Sequence, residues 1–488
     1  MKYHNDLKGF FSLVGAFLIH FTIGSFQTWS NLMPYYVSYQ HYKTGSTLPI
    51  SYSSFYIPLI TLVYTFFITI GIITTSKVGI YIPCFISTLL LIISHLILYF
   101  TTSWILVIIA FNLLGIAIGL VYLSVVLNSW SYYPNKKGRI ISLILTGFGV
   151  SNLIMDKLAN IIINPQNEQI DSESGYYSET IANNILAYIK ISIGMIVVLG
   201  ICGILMITPW TNQIIAEKAQ SVNKINNQDY TQLIDLSKTN NDVNNNNNNI
   251  HRNVESFYNG GKEDIKLGFK SKPFIQLVSL FLLSSLFNSL HINPNWKFSE
   301  QIHLENEDFI SNNIFLFNIG NSLFLIVWGI LLDNFSFKEI YILSIFIQII
   351  VFSTFYFISE FKYLFYFYNF LTGLSKACSV IVIPFAFYKI FGIKNGGIYF
   401  GISQFISALG SLFMPVLIYN LSNKSMIYYL ILFLTNSVTK MLAAIILCFI
   451  EEKPFDYGRK EKEQFLQNRF STSSTSSRDS IDSVTTKG

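Results

Sequence analysis

Charge is what this sequence has least of. Only 12% of its 488 residues are Asp, Glu, Lys or Arg, against roughly a quarter in an ordinary soluble domain. That shortage excludes a chain built to fold around one core in water. The net charge of +5 is small and sits in loops, which argues against a nucleic-acid partner. Cysteines are also scarce. Cys84, Cys202, Cys378 and Cys448 each lie in or beside an apolar run, without metal-like spacing. They form no disulfide framework or redox motif and read as small buried hydrophobes. The seven histidines are scattered, with no HExxH and no paired spacing. No phosphate-cradling Gly–Lys–Ser/Thr loop appears. Hydrolase, oxidase and ATP-driven pump chemistry are therefore unsupported; no cofactor or metal is implied, and the protein does not read as an enzyme. The opening MKYHNDLK runs into the first apolar segment without a small-residue cleavage site, so that segment is expected to stay as a membrane span.

What is abundant is apolar length. Hydrophobic residues make up 51% of the chain and aromatics 16%. Mean hydropathy is +0.46. A membrane helix needs about 20 apolar residues, and the sequence predicts about twelve. The first six fall near 10–33, 57–75, 79–100, 104–128, 139–163 and 183–208. The second six fall near 273–292, 309–332, 339–358, 362–386, 397–420 and 426–450. The expected organisation is an all-α membrane protein of two six-helix bundles, 1–208 and 273–450. They are joined by an Asn-rich linker, 209–272, and followed by a disordered Ser/Thr-rich tail, 451–488. The tail could carry phosphates or serve only as a soluble end.

Loop charge sets the orientation. With a cytoplasmic N-terminus, the inside loops hold Lys2, Lys8, Lys77, Lys136, Lys137, Arg139, Lys338, Lys389 and Lys394. The outside loops hold only Lys43, Lys297, Lys362 and Lys424, together with most of the loop acids. Lys and Arg accumulate in short cytoplasmic loops, so both termini are expected inside. The cluster Lys136, Lys137 and Arg139 is first of all a topology signal.

Small residues repeat between the halves. Gly138, Ser142 and Gly149 follow the loop NKKGR; Gly397, Gly401 and Ala408 follow GIKNGG at the same spacings. Small faces let helices approach closely in lipid. Equivalent close contacts in both halves suit two bundles that rock against each other. GILLDNFSFK (329–338) ends the eighth span with Gly329 and Asp333; GIITTSK (71–77) has Gly71 but Thr75 in place of the acid.

This layout resembles the major facilitator superfamily, with its Gly–x–x–x–Asp motif after spans two and eight. The stretch GIAIGLVYLSVVLNSWSYYPNKKGRIISLILTGFGVS (115–151) is similar to the oxalate/formate antiporter branch, as are FGIKNGGIYFGI (391–402) and FLIHFTIGSFQTWSNLMPYY (17–36). The resemblance implies that spans 1, 4, 7 and 10 line a central cavity, with 2, 5, 8 and 11 beside them and 3, 6, 9 and 12 outside. The chain departs from that branch, and from the related monocarboxylate transporters, at the charges. Spans eight and eleven lack the Arg and Lys of the oxalate:formate exchangers. The first-span Lys and the eighth-span Asp–Arg pair of the monocarboxylate carriers are missing too.

Ionisable residues inside a span are costly and usually face a cavity or a partner. Lys376, in NFLTGLSKACSVIVIP, sits roughly 20 Å in from the end near Lys389, at about 1.5 Å per residue. It reads either as a docking cation for a carboxylate or as a lysine that snorkels or meets a backbone carbonyl. His291 and Asn288 on span seven align with the region of Gln27 on span one. Tyr122 and Asn128 on span four, Asn318 and Asn321 on span eight, Gln404 on span eleven and His20 complete the polar candidates. Each suits an interhelical hydrogen bond as well as a substrate contact. Asp156 and Lys190 are expected to form a structural ion pair, and Lys440 has no evident partner. One buried cation favours a monoanion over a dianion. The expected function is thus alternating-access transport of a small monocarboxylate of the formate, pyruvate or lactate type, by symport or exchange. Protons are an optional coupling ion, with His291 or His20 as titrating groups. A carrier of a neutral sugar, nucleoside or amino acid, and a multi-pass sensor that transports nothing, are the alternatives. The protein is expected to be a monomer in the plasma membrane, with an organelle membrane as the other option.

Overall fold

A computed structural model describes residues 2–47, 50, 56–171, 174–209, 262–285, 307–358, 360–411 and 426–455. The described residues are helical throughout, without strands. The first half contains α1 (Lys2–Gly24), a 3-10 turn (Ser25–Thr28), α2 (Trp29–Thr44), α3 (Tyr56–Val78), α4 (Tyr81–Phe100), α5 (Trp104–Tyr122), α6 (Ser124–Tyr132), α7 (Lys137–Ile163) and α8 (Glu179–Met206). The second contains α9 (Lys262–Phe269), α10 (Lys272–Ser285), α11 (Glu307–Asn334), α12 (Phe337–Ile358), α13 (Lys362–Phe391), α14 (Ile393–Ser411) and α15 (Met426–Cys448). Among the described residues, ten helices are long and apolar enough to cross a membrane, counting α1–α2 and α5–α6 as one each. The seventh and eleventh expected spans are represented by α10 and α14; their remainders lie outside the described residues.

The first span overruns its expected end at 33. It continues through Pro34 to Thr44 and stops where Gly45 takes φ 68 and returns its N–H to the His41 carbonyl. The polar letters of 35–44 imply a loop, but neighbours satisfy them. Tyr36 donates to the Leu98 and Thr101 carbonyls at 3.0 Å, and Gln40 donates to the Thr102 carbonyl at 3.0 Å. Two further boundaries need correction. The end of the expected linker is the helix α9, whose Ile265 carbonyl accepts from Tyr399 at 3.0 Å. The start of the expected disordered tail folds back on α13. Glu452 pairs with Lys389 at 2.7 Å, and the Phe455 N–H donates to the Ile390 carbonyl at 2.8 Å.

Within each half, one glycine crossing recurs. Gly71 and Gly119 bring α3 against α5, and Gly320 and Gly373 bring α11 against α13, backbone to backbone. Among the described residues, the halves meet chiefly along two pairs, α7 with α11 and α3 with α14. Here the small residues act as expected. Gly138 faces the Gly329 carbonyl, Gly149 faces Ser322, and Gly401 faces Thr69. A third atom shell would not fit, so packing rather than apolarity joins the halves. Apolar side chains such as Phe85 on α4, Leu205 on α8, Phe346 on α12 and Ile445 on α15 stay exposed, as a lipid-facing rim requires.

Candidate functional site

At the end carrying Lys136–Arg139, hereafter the basic end, α11 latches onto α7. The Asp333 carboxylate accepts the Gly138 N–H at 2.6 Å and the Arg139 N–H at 3.2 Å, and its Oδ2 lies 3.2 Å from Arg139 Nε. An acid at a helix N-terminus satisfies orphan N–H groups and the positive end of the helix dipole together. Lys137 adds a second tie: its ammonium donates to the Tyr388 hydroxyl and lies 4.2 Å from that ring's centre. Trp130 packs against Tyr388 with tilted rings 4.8 Å apart and donates its indole N–H to the Lys137 carbonyl at 2.8 Å.

Among the described residues, no acid latches the opposite crossing in this way. The register that puts Gly401 on Thr69 and Gly397 on Ile72 carries Thr75 to the first turn of α14. The Thr75 hydroxyl is buried without a hydrogen-bond partner. Thr75→Asp is therefore expected to raise the melting temperature of the purified protein. The gain should correspond to about 0.3–1 kcal/mol, the usual worth of an acid at a helix N-terminus. Thr75→Val, which removes only an unused hydroxyl, should cost nothing.

Between the latch and the far end lie the remaining polar and aromatic candidates. His20, Gln27 and Asn31 follow one another at spacings of seven and four, which places them on one face of the first span. His20 is fully buried. Its Nδ1 lies 3.2 Å from the Ala16 carbonyl, its Nε2 has no hydrogen-bond partner, and its ring packs 5.7 Å from Tyr122. Tyr122, Tyr64, Phe26 and Phe148 form a chain of tilted and edge contacts 5.7–6.2 Å apart, drawn from four elements of the first half. This ring cluster escaped the sequence reading, which picked out Tyr122 alone; its members are far apart in the chain and carry no shared spacing.

In the second half, Lys376 sits midway along α13, half-buried, with Nζ 5.2 Å from the Phe317 ring centre on α11. Among the described residues it has neither an ion pair nor a hydrogen bond. Asn318 on α11 and Gln404 on α14 are half-buried, and Gln404 shares the α14 face of Gly397 and Gly401. Asn321 has a buried side-chain oxygen without a partner. His291 and Asn288 lie outside the described residues.

Four residues fall elsewhere. Asn128 is structural: it donates to Ser12 at 3.1 Å and to the Thr208 carbonyl at 2.9 Å. The expected Asp156–Lys190 pair does not form. Asp156 accepts from Asn31 at 3.2 Å, while exposed Lys190 lies over Tyr99 at 5.3 Å. The 125 residues between Asn31 and Asp156 conceal that the first span packs against α7 there. Lys440 is fully buried and donates to the Ser284 carbonyl at 3.5 Å, and Ser284 also bonds Tyr341. That acceptor is main chain, which no side-chain pattern reveals.

Residues 274–480 match the family model of the Major Facilitator Superfamily. The fold is that of two solved structures. One is the MFS proton:xylose symporter XylE bound to 6-bromo-6-deoxy-D-glucose, at 13% identity and TM-score 0.60, with 93% of this chain and 98% of that chain covered. The other is the human organic anion transporter MFSD10 (TETRAN), at 12% identity and TM-score 0.58, with 91% and 99% covered. No curated protein matches the chain. The chain is thus an integral multi-pass membrane protein with the major facilitator fold.

Proposed function

We propose that this protein is a secondary transporter that moves a small monocarboxylate, of the formate, pyruvate or lactate type, by symport or exchange. The halves 1–208 and 273–450 rock about the α7–α11 and α3–α14 contacts, with the basic end toward the cytoplasm. The observation that carries the substrate class is Lys376: a half-buried ammonium at mid-span whose described surroundings offer a ring face and no acid. A central lysine costs about 2.5–3.5 kcal/mol on insertion scales. A bound carboxylate would offset that cost with a charge-assisted hydrogen bond. Gln27, Tyr122, Asn318 and Gln404, with His291 and Asn288, would complete the polar lining. The organic-anion label of the human neighbour agrees with this reading. The ring cluster around Tyr122 favours a second reading, a neutral ring-shaped solute, in line with the sugar ligand of the other neighbour.

The test is uptake of labelled pyruvate, lactate and formate into proteoliposomes holding the full chain, beside a labelled hexose. Lys376→Ala is expected to reduce monocarboxylate uptake by at least about a hundredfold, since about 3 kcal/mol of lost ion pairing is two decades. Lys376→Arg should retain part of it. Hexose uptake indifferent to Lys376, with no monocarboxylate uptake, would replace the first reading by the second.

A further inference from the structure

Asp156 takes no part in holding an anion at Lys376, yet it lies inside a span. It precedes the end of α7 at Ile163 by seven residues, or about 10 Å of helix. It stands five whole turns from Gly138, at about 3.6 residues per turn, so both point from the same face of α7. That face also carries Ser142, Gly149 and Asn152, and it meets α11 at Gly329 and Ser322. The same antiparallel register carries Asp156 toward the level of Phe315, which is 53% exposed. The α7–α11 seam is therefore latched at the basic end, while at the Asp156 end the level of α11 carries an exposed ring.

The two ends differ in how an acid is neutralised. Asp333 has a guanidinium and two helix N–H groups. Asp156 has the Asn31 amide at 3.2 Å and the Thr28 hydroxyl, which also reaches the Asn152 side-chain oxygen at 3.4 Å. Among the described residues no cation pairs with it. Its neighbour Lys157 is exposed, and Lys190 is turned to Tyr99. The titratable group facing it from a packed helix is Tyr188 on α8; Tyr35, one turn beyond Asn31 on α2, is turned instead to Asn164 and Tyr177. On α11, the described side chains near this level, Phe315 and Asn318, do not titrate. Asp156 is half-buried while Asn31 is exposed, so the carboxylate stands at the edge of water. If α7 and α11 close at this end, that water is displaced. A charged carboxylate left without a counter-ion is then the most expensive group at the seam.

We propose that Asp156, with Thr28, Asn31 and Asn152, binds the coupling cation, a proton or Na+, and that occupation of this site permits the end remote from Asp333 to close. The carboxylate takes the cation on one side of the membrane and releases it on the other, so charge balances over the cycle. A proton leaves a neutral acid that keeps its bonds to Thr28 and Asn31. Na+ would take oxygens of Asp156, Thr28 and Asn152, the hard donors it prefers. This inference rests on the transporter reading but not on a carboxylate substrate.

The experiment needs no substrate. The melting temperature of the purified full chain is compared in acid and alkaline buffer, and in sodium and choline chloride. The wild-type protein is expected to be stabilised by one of the two cations. Asp156→Asn should lose that shift, whereas Asp156→Glu and Lys376→Ala should keep it. An acid-only effect assigns a proton; a sodium effect at alkaline pH assigns Na+. An identical shift in wild type and Asp156→Asn overturns the site. Carbodiimide labelling of Asp156 in the wild-type chain, read by mass spectrometry, guards against a misfolded variant. Labelling should rise on acidification or fall with Na+, and a response to neither overturns the proposal. A cation effect lost in Asp156→Asn, with no pyruvate, lactate or formate uptake, would leave this site standing and sink only the substrate class.

Discussion

Asp333→Ala is expected to spring the basic end open and to abolish transport, with a population shift of at least about a hundredfold. Asp333 is 6% exposed and accepts two backbone N–H bonds from α7. Its removal leaves two helix N–H groups without their charged acceptor; hydrogen bonds to a charged group are worth about 1.5–3 kcal/mol each, and each 1.4 kcal/mol is roughly tenfold in an equilibrium. The guanidinium arm contributes less. Arg139 is 41% exposed, and pairs open to water give about 0.2–1 kcal/mol. Arg139→Ala should therefore be much milder than Asp333→Ala, and Asp333→Asn, which keeps one acceptor but loses the charge, should fall between them. The readout is thiol labelling of Ser142→Cys, a near-isosteric change at a fully buried site facing Gly329. It is made in a Cys202→Ser, Cys448→Ser background, since those two native cysteines are exposed. Labelling that stays slow with alanine at 333 would mean that the latch does not hold the halves together.

The latch was legible in one dimension because its parts are local. Gly329 and Asp333 are four residues apart, and Lys137 to Gly149 is a single helical stretch, so spacing alone places cations, acid and small residues on close-packing faces. The contact itself, Asp333 on the N-terminus of α7, spans 195 residues and is visible only when the halves are assembled. The same limit explains the misses. Asp156 seemed destined for Lys190 because opposite charges at span ends suggest a pair. It bonds Asn31 instead, a residue inside the expected first span but 125 residues away in the chain, so only the packing of that span against α7 brings the two together. Lys440 looked stranded because its acceptor is the Ser284 carbonyl. The rings around Tyr122 come from four separate elements and share only a place in the fold.

Gly373→Val is expected to be the most damaging change inside the second half. A Cβ at 373 would meet the Phe317 carbonyl oxygen, and lie 2.9 Å from the Asn321 nitrogen and 3.0 Å from the Phe317 carbonyl carbon. These are backbone atoms of a helix and cannot swing aside, so α13 must move off α11. Overpacking of this kind costs about 1–3 kcal/mol in ordinary cores, and loss of the close approach forfeits the van der Waals packing that drives helix association in lipid. Gly194→Val is the control, because a Cβ there meets nothing within 4 Å; its melting temperature should match the wild type. The consequence for the site is specific. Phe317, which opposes Gly373, is also the ring that holds the Lys376 ammonium at 5.2 Å. Gly373→Val should therefore lower the melting temperature and lose anion uptake together, whereas Lys376→Ala should lose uptake and keep the melting temperature. If Gly373→Val melted normally and failed only in uptake, the crossing would position the lysine without supporting the fold. If it lost stability but kept uptake, Phe317 would have no part in placing the cation.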